Sequence, residues 1–284
     1  MNVKRRIGVH TSIAGGLHLS LERARELGCN TIQIFSHNPR GWEIKRKGTD
    51  EIRAFIETRR KYDISPVFIH TSYLINLASG NPSLAARSVD MVQHELDIAD
   101  SVGAEYVVLH TGSASGEDPV AARKRAITCL KEIGRRGEWQ AGLLLENTAG
   151  ERGDVTSKIN EISEIMEQVP GRLIAGICID TCHAFSAGYD IGSDDGIQLL
   201  SEEIRKYIGR GRIRLLHLND AKGALGSGLD RHEHIGQGKI GLRGSTNFIN
   251  HKIFSDIPII LETPKKSPGD DLKNLETVRK LMRK

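Results

Sequence analysis

Eight short apolar runs, spaced evenly along the chain, constrain its fold more than any other feature of the sequence. Each run is rich in β-branched residues, and the segments between runs have the 3.6-residue apolar period of helices. Continuous apolar runs are typical of strands buried on both faces, as in a parallel sheet covered by helices. The eight candidate strands span residues 7–9, 31–35, 67–69, 106–109, 143–145, 174–179, 213–216 and 257–261.

The length of the chain matches a closed barrel. Its 284 residues, divided among eight repeats, give about 35 residues each, as expected of a βα unit in a barrel of ~250 residues or more. The sequence therefore predicts an α/β fold of the (β/α)8 TIM barrel type. A doubly wound open sheet is the alternative, but the segment after the first run, residues 10–16, lacks the GxGxxG fingerprint. No linker or low-complexity tract interrupts the pattern, so we expect one domain over residues 1–284.

Composition excludes several classes of protein. Lys and Arg number 40 and Asp and Glu 36, and the net charge of +4 is too small to indicate a dedicated electrostatic binder of nucleic acid. The four cysteines form no CxxC pair, which favours a reducing compartment over a disulfide framework. No apolar run approaches the ~20 residues of a membrane span, and no signal-peptide core is visible. We expect a cytoplasmic protein without a membrane partner.

Polar side chains close the apolar runs. In a TIM barrel the carboxyl ends of all strands converge on one face, so residues distant in sequence share one site. Seven of the eight closing residues are potential metal ligands, and Asp180-Thr-Cys-His183 and Asp230-Arg-His232 add further candidates. The closing residues are His10, Ser36, His70, His110, Glu146, Asp180, His217 and Glu262.

This cluster predicts bound metal ions. Carboxylates packed together repel one another and must take up protons or cations. A mixture of imidazole and carboxylate suits zinc first, with manganese possible, rather than calcium. Five His, two Asp and two Glu exceed the three protein ligands of a mononuclear catalytic zinc site, which indicates several metals. Clustered divalent metals are typical of phosphodiester hydrolysis.

Several long motifs are distributed along the chain: His10-Thr-Ser-Ile-Ala-Gly-Gly16, Leu145-Glu-Asn-Thr-Ala-Gly150, Cys178-Ile-Asp-Thr-Cys-His-Ala-Phe185, Ala187-Gly-Tyr-Asp190, His217-Leu-Asn-Asp220, Asp230-Arg-His232 and Leu261-Glu-Thr263. In these motifs the sequence resembles the endonuclease IV family of apurinic/apyrimidinic-site (AP) DNA repair nucleases, nearly end to end. The resemblance implies a xylose isomerase-like TIM barrel that holds three zinc ions.

The resemblance also assigns the ligands. It implies that Glu146 bridges the first two metals and acts as the catalytic residue through them and the activated water. Spacing alone lets either His232 or His234 reach a metal, and only the resemblance selects His232. The implied sets are His70, His110 and Glu146; Glu146, Asp180, His217 and Glu262; and His183, Asp230 and His232.

The implied activity is hydrolysis of the phosphodiester 5′ to abasic sites in duplex DNA during base excision repair. It leaves 3′-hydroxyl and 5′-deoxyribose phosphate ends, and water activated by zinc makes a side-chain nucleophile unnecessary. We therefore interpret Cys182 as a packed thiol. A monomer is expected.

Two predicted loops on the active face, residues 37–42 and 71–76, are candidates for reading DNA. The resemblance implies that Asn38, Arg40, Tyr73 and Leu74 contact DNA, with the last three entering the minor groove while the abasic nucleotide swings out. A loop anchor and a lid contact are the simpler interpretations. Cations that could contact phosphate are Lys45-Arg-Lys47, Lys222, Lys239, Arg243 and Lys265-Lys266, whereas Arg59-Arg-Lys61 and Arg123-Lys-Arg125 are predicted to face outward on helices.

Two other functions remain open at this stage. A xylose isomerase-like, metal-dependent sugar isomerase or epimerase would share the barrel and its metal chemistry. A metal-stabilised DNA-binding protein would share the loops but has no need of so many ligands around one cavity. The nine candidate ligands and the two loops favour the nuclease.

Overall fold

The computed structural model describes residues 5–44, 46–169 and 171–282, so Lys45 of the candidate phosphate contacts lies outside the described residues. Eight parallel strands form one sheet in the order β1-β10-β7-β6-β5-β4-β3-β2, which confirms the predicted barrel. The strands are β1 Ile7–Val9, β2 Ile32–Phe35, β3 Val67–His70, β4 Tyr106–Leu109, β5 Gly142–Glu146, β6 Ile174–Asp180, β7 Ile213–His217 and β10 Ile259–Leu261.

The sheet closes where β1 meets β2. One parallel bridge, between His10 and Gln33, joins these two edge strands, so the barrel is nearly closed. The backbones approach closely at this seam, because a Cβ added to Gly8 would lie 1.9 Å from the carbonyl oxygen of Thr31. Glycine is therefore required at this point of the first strand.

Helices cover the outside of the barrel, and their starts follow from the sequence. Asp118 accepts hydrogen bonds from the backbone N–H groups of Val120 and Ala121, and Pro119 occupies the first helical position. Among the described residues, no helix is long and apolar enough to cross a membrane. The helices are α1 Leu17–Glu26, α2 Thr49–Tyr62, α3 Pro82–Val102, α4 Pro119–Arg136, α5 Ile159–Gln168, α6 Thr181–Ser186, α7 Asp194–Tyr207, α8 Gly241–Asn250 and α9 Asp270–Leu281.

Strand alternation places the functional face. A small apolar cluster fills the barrel interior, separate from the larger core between sheet and helices. Because successive side chains point to opposite faces of a strand, the residue two positions after each interior side chain also points inward, at the carboxyl end. The six interior residues, Phe68, Val108, Leu144, Cys178, Leu215 and Ile260, thus place His70, His110, Glu146, Asp180, His217 and Glu262 at the barrel mouth.

A two-stranded antiparallel hairpin, which the sequence pattern did not predict, lies beside the mouth. It pairs β8, Asp220–Ala221, with β9, His232–Glu233. The carboxylate of Asp220 accepts hydrogen bonds from the backbone N–H groups of Gly236, Ile240 and Gly241, which ties the hairpin to the start of α8. Strands of two residues are too short to show alternation, and the hairpin carries His232 to the site.

The basic clusters on the helices face outward only in part. Arg60, Lys61 and Lys124 are exposed, whereas Arg59 and Arg123 are largely covered by acidic partners. Arg59 pairs with Glu105 and Arg123 with Glu161 and Glu164, at 3.2 and 2.7 Å for the latter two. The outward prediction is wrong for these two arginines and for the half-buried Arg125, which binds Glu117 and the carbonyl of Ala78. Each of the three joins its helix to a neighbouring element.

Candidate metal centre

The nine predicted ligand side chains meet at the barrel mouth in three linked groups. Within each group the nearest nitrogen and oxygen atoms all lie within 4.8 Å of one another, close enough to hold a metal ion. The local structure explains part of this convergence: Asp180 ends β6, and its Oδ1 accepts the backbone N–H of His183 at 2.8 Å, which begins α6 and turns His183 into the site. The groups are His70, His110 and Glu146; Glu146, Asp180, His217 and Glu262; and His183, Asp230 and His232.

Glu146 is the shared member of two groups. It is fully buried, and its Oε2 lies 3.3 Å from His70 Nε2 and 3.2 Å from His110 Nε2. Its Oε1 lies 3.0 Å from His217 Nδ1 and 3.2 Å from His183 Nδ1. One carboxylate therefore faces four imidazoles, with each oxygen serving a different pair.

The electrostatics of the mouth keep its carboxylates ionised. Burial alone would raise the pKa of Glu146. The nearby His217 and His110 outweigh this effect and hold the pKa well below its usual range. For His183, burial lowers the pKa, and the carboxylates of Asp180 and Asp230 raise it to well above the usual value. The buried negative charge at this mouth therefore depends on positive neighbours, which can be imidazolium groups or metal ions.

Four of the five candidate imidazoles are oriented by a carbonyl oxygen that binds one of the two ring nitrogens. This arrangement fixes the ring and leaves the other nitrogen free to bind a metal, as protein metal ligands generally require. The four hydrogen bonds run from His70 Nδ1 to the Thr71 carbonyl (2.9 Å), from His183 Nδ1 to the Asn147 carbonyl (2.9 Å), from His232 Nδ1 to the Glu262 carbonyl (3.0 Å) and from His217 Nε2 to Gln33 Oε1 (2.8 Å).

Several inward-facing atoms of the same side chains have no hydrogen-bond partner among the described residues. They are Glu146 Oε2, His183 Nε2 and His232 Nε2, and all three are buried. A buried polar atom without a partner is costly, and in native proteins it is normally satisfied by protein, water or a bound ion. The orphaned atoms and the oriented imidazoles both fit a metal centre.

Two other histidines near the mouth do not join these groups. His234 turns away and meets Asn274 Nδ2 of α9 at 2.9 Å through its Nδ1, so geometry favours His232 as the inward-facing histidine. His10 lies beside the cluster, where its Nδ1 is 3.0 Å from Gln33 Nε2 and 3.2 Å from Glu262 Oε1. Its position at a strand end made it a candidate, but it contacts a candidate ligand instead of completing a group.

Three amide side chains that the sequence reasoning missed hold the candidate ligands. Asn219 donates to Asp180 Oδ2 at 2.6 Å and accepts the backbone N–H of Glu262 at 2.9 Å. Asn147 spans the backbone of Asp180, accepting its N–H at 2.8 Å and donating to its carbonyl at 3.1 Å. The third amide belongs to Gln33, an interior residue of β2. The two-residue alternation could have identified Gln33, since it precedes the end of its strand by two positions.

The cysteines near the mouth are neutral. Burial raises the pKa of Cys178 and of Cys182 to about 12. The thiol of Cys182 donates to the carbonyl of Arg231 at 3.5 Å. Both groups therefore remain thiols near neutral pH, which makes them poor nucleophiles.

The two predicted DNA-reading loops, residues 37–42 and 71–76, form part of the rim of the mouth, and we call them the rim loops. The hydroxyl of Ser72 donates to the carbonyl of Pro39 at 2.8 Å and so joins them. Tyr73 is 63% exposed, although its ring packs edge-on against Phe35 with centroids 5.2 Å apart. Asn38 Oδ1 accepts the backbone N–H of Arg40 at 3.1 Å, and the Arg40 side chain is exposed.

A cavity of about 970 Å³ opens from the candidate ligands to these loops. Asn38 and Tyr73 line it together with His70, His110 and His232, whereas Leu74 lines an adjoining cavity of about 380 Å³. The exposed Arg40 lies outside both linings. An open cavity of this size at a candidate metal-binding mouth fits an extended substrate better than an enclosed small molecule.

The other cations predicted to contact phosphate differ in their distance from the large cavity and in their exposure. Lys265 lines the large cavity and donates to the carbonyl of His10 and to Asp271. Lys222 and Lys239 are exposed in loops near the hairpin. Arg243 lies in the first turn of α8 and pairs with Asp194 at 3.4 Å.

Fold and site together define a TIM barrel with candidate metal ligands at the carboxyl ends of its strands. A family model described as a xylose isomerase-like TIM barrel matches residues 21–284. A probable endonuclease 4 from Halothermothrix orenii is 41% identical over 280 residues, covering 98% of this chain and 99% of the relative. A crystal structure of endonuclease IV from Thermus thermophilus has a TM-score of 0.85 and 35% identity, covering 97% of this chain and 98% of that one. The chain belongs to the endonuclease IV family of DNA-cleaving hydrolases.

The fold is also shared with sugar-converting enzymes. A D-tagatose 3-epimerase-like protein has a TM-score of 0.73 but only 21% identity, covering 97% of this chain and 96% of that one. Identity this low shows the common barrel alone.

Proposed function

We propose that the chain is a zinc-dependent endonuclease IV that hydrolyses the phosphodiester 5′ to abasic sites in duplex DNA. The products are a 3′-hydroxyl and a 5′-deoxyribose phosphate end, as base excision repair requires. The observation that carries the proposal is the linked set of nine candidate ligands around Glu146, at the end of an open cavity rimmed by exposed side chains. The proposal includes a single barrel domain that works as a monomer in the cytoplasm.

The proposed ligand sets are the three groups described above, with Glu146 shared between the first two. Zinc suits their mixture of imidazole and carboxylate, and manganese is a possible occupant of some positions. When bound, zinc supplies Lewis acidity, which lowers the pKa of water toward neutrality and neutralises the charge of the phosphate.

The chain's own residues prepare this centre. The carbonyl oxygens behind His70, His183 and His232 hold each ring so that its other nitrogen faces inward, where it would hold a metal. The carboxylate of Glu146 stays ionised at neutral pH because His217 and His110 keep its pKa low. Among the described residues of the mouth, the thiols of Cys178 and Cys182 are protonated, so water is the nucleophile in this proposal.

The rim loops are proposed to read the lesion. Tyr73 stands exposed on an aromatic support, Phe35, and is therefore rigid enough to enter a base stack. Leu74 and Arg40 extend the same rim, and Asn38 fixes the turn that presents Arg40. An abasic nucleotide has no base to unstack, which lowers the energy needed to swing it toward the metals.

The proposal is tested with two end-labelled duplexes that differ only in one tetrahydrofuran abasic analogue. Zinc-loaded protein is expected to cut the lesion duplex at the bond 5′ to the analogue and to leave the intact duplex uncut. Extension of the upstream fragment by a DNA polymerase checks for the 3′-hydroxyl. Absence of incision by the zinc-loaded protein would refute the proposal, and turnover of ketoses in its place would favour the sugar epimerase.

A further inference from the structure

We propose that Gln33 is a positioning residue of the metal centre, which fixes the ring of His217 and holds Glu262 for the same ion. The inference rests on the proposed function, since it assigns a role toward the metals proposed there. Gln33 lies in the middle of β2, is fully buried and points into the barrel interior. Neither His217 nor Glu262 belongs to a neighbouring strand of β2, so the side chain reaches across the barrel.

Every polar atom of the Gln33 amide is used. Its Oε1 lies 2.8 Å from His217 Nε2, and its Nε2 lies 2.6 Å from Glu262 Oε1 and 3.0 Å from His10 Nδ1. The reversed amide would place a carbonyl oxygen against the carboxylate of Glu262, which is repulsive. The amide therefore has one favourable orientation.

This orientation decides which nitrogen of His217 carries hydrogen. Because Oε1 of Gln33 can only accept, Nε2 of His217 must donate. Nδ1 is then the nitrogen available to a metal on the inward side, where it lies 3.0 Å from Glu146 Oε1 and 3.2 Å from Glu262 Oε2. Gln33 thus prepares two ligands of one candidate metal, from β7 and from the end of β10.

His217 differs here from the other oriented histidines. His70, His183 and His232 donate to backbone carbonyls, which no substitution removes. At His217 the acceptor is a side chain, located at the seam where only the bridge between His10 and Gln33 joins β1 to β2 among the described residues. An apolar residue at position 33 would leave His217 Nε2 and one oxygen of Glu262 without their amide partner.

The test compares zinc binding by the parent, Gln33→Met and Ile34→Val. Methionine keeps the length of the side chain but removes the amide, while Ile34 is a buried neighbour on the helix-facing side of the same strand. Partners of metal ligands typically contribute about 10–100-fold to metal affinity. Chelator titration of the zinc-loaded proteins is expected to show one ion released from Gln33→Met with affinity lowered about 10–100-fold. The other ions, and all those of Ile34→Val, should match the parent.

The outcomes separate this inference from the proposed function. A parent protein that binds no zinc tightly would refute the metal centre itself. A parent that binds three ions, together with Gln33→Met and Gln33→Asn variants of unchanged affinity, would overturn the role of Gln33 alone. The Asn variant keeps a buried amide that is too short to reach His217, so it serves if Gln33→Met does not fold.

Discussion

At the residue scale, the position of one carboxylate organises the site. Glu146 is the last residue of β5, and its two oxygens face four imidazoles from four other parts of the chain. The ligand types were predictable because they close apolar strands. Which imidazoles each oxygen of Glu146 contacts was not predictable, since these contacts depend on the distances between strands. The role of Gln33 was missed because a single amide inside an apolar run stands out only when the two-residue alternation is applied to that strand.

Replacement of Glu146 tests this shared role. Glu146→Gln keeps the shape of the side chain but removes its charge, and the NH2 group of the new amide cannot bind a metal ion. We expect the variant to bind fewer zinc ions than the parent and to lose at least about 100-fold in incision rate, more than the loss of a ligand's partner. Elemental analysis beside a single-turnover assay measures both. Full zinc content in the variant would show that Glu146 does not connect two ions.

Tyr73 is the residue whose loss should separate DNA recognition from metal binding. Stacking of a base on an aromatic side chain contributes about 1–3 kcal/mol, so Tyr73→Ala should weaken binding of abasic duplex about 5–150-fold. Zinc content should not change, because Tyr73 is in none of the ligand groups. Leu199→Ala, an exposed apolar residue of α7 on the barrel wall, is the matched control. If Tyr73→Ala and the control bind the abasic duplex with equal affinity, Tyr73 makes only a lid contact and does not recognise the lesion.

At the element scale, α3 supports both rim loops. Arg87 stacks over the ring of Trp42 at 4.3 Å, and the hydroxyl of Ser88 accepts the backbone N–H of Asn76 at 3.0 Å. Deeper in the same helix, Glu95 Oε1 lies 3.4 Å from His37 Nδ1. The helix was predictable from its apolar period, but these contacts were not, because each joins α3 to a loop without regular structure.

Glu95, in the helix α3 that holds the rim loops, makes the stability of the protein depend on pH. Burial raises the pKa of this carboxyl to about 7, although Ser36, His70 and the backbone of Ser72 act in the opposite direction. In the unfolded chain the group ionises at its ordinary, lower pKa. Stability should therefore decrease as pH rises from about 4.5 to about 7, since the folded state must keep the proton or bury a charge.

Glu95→Gln is expected to remove this dependence. The variant should gain stability relative to the parent as pH increases from about 5 to about 8, with most of the gain complete near pH ~7. Urea unfolding at matched pH and metal content gives the difference, and Glu57→Gln, at an exposed position of α2, serves as the control. A difference between Glu95→Gln and the parent that is constant across this pH range would contradict the argument.

At the scale of the whole molecule, the candidate ligands connect distant parts of the chain. They come from six strand ends, from α6 and from the hairpin, so bound metal would link elements that are otherwise joined through the barrel. Eight apolar runs and the length of the chain were sufficient to predict the barrel. The hairpin and the single-bridge seam were not predictable, because two-residue strands and the geometry of closure leave no periodic signal.

Metal should therefore stabilise the fold. Zinc at about 100 times its dissociation constant adds about 2.7 kcal/mol per independent site to the free energy of unfolding. Removal of metal by a chelator should lower Tm, and stoichiometric zinc should restore it. A Tm that does not respond to either treatment would indicate that the clustered side chains are satisfied without metal.

The most direct test of the central claim is a zinc titration of metal-depleted protein, followed by incision of the abasic duplex. Incision 5′ to the lesion is expected to be absent at the start, to rise with added zinc and to reach a plateau at three ions per chain. The intact duplex should remain uncut throughout. Incision that is unaffected by metal depletion, or equal cutting of the two duplexes at saturating zinc, would contradict the account.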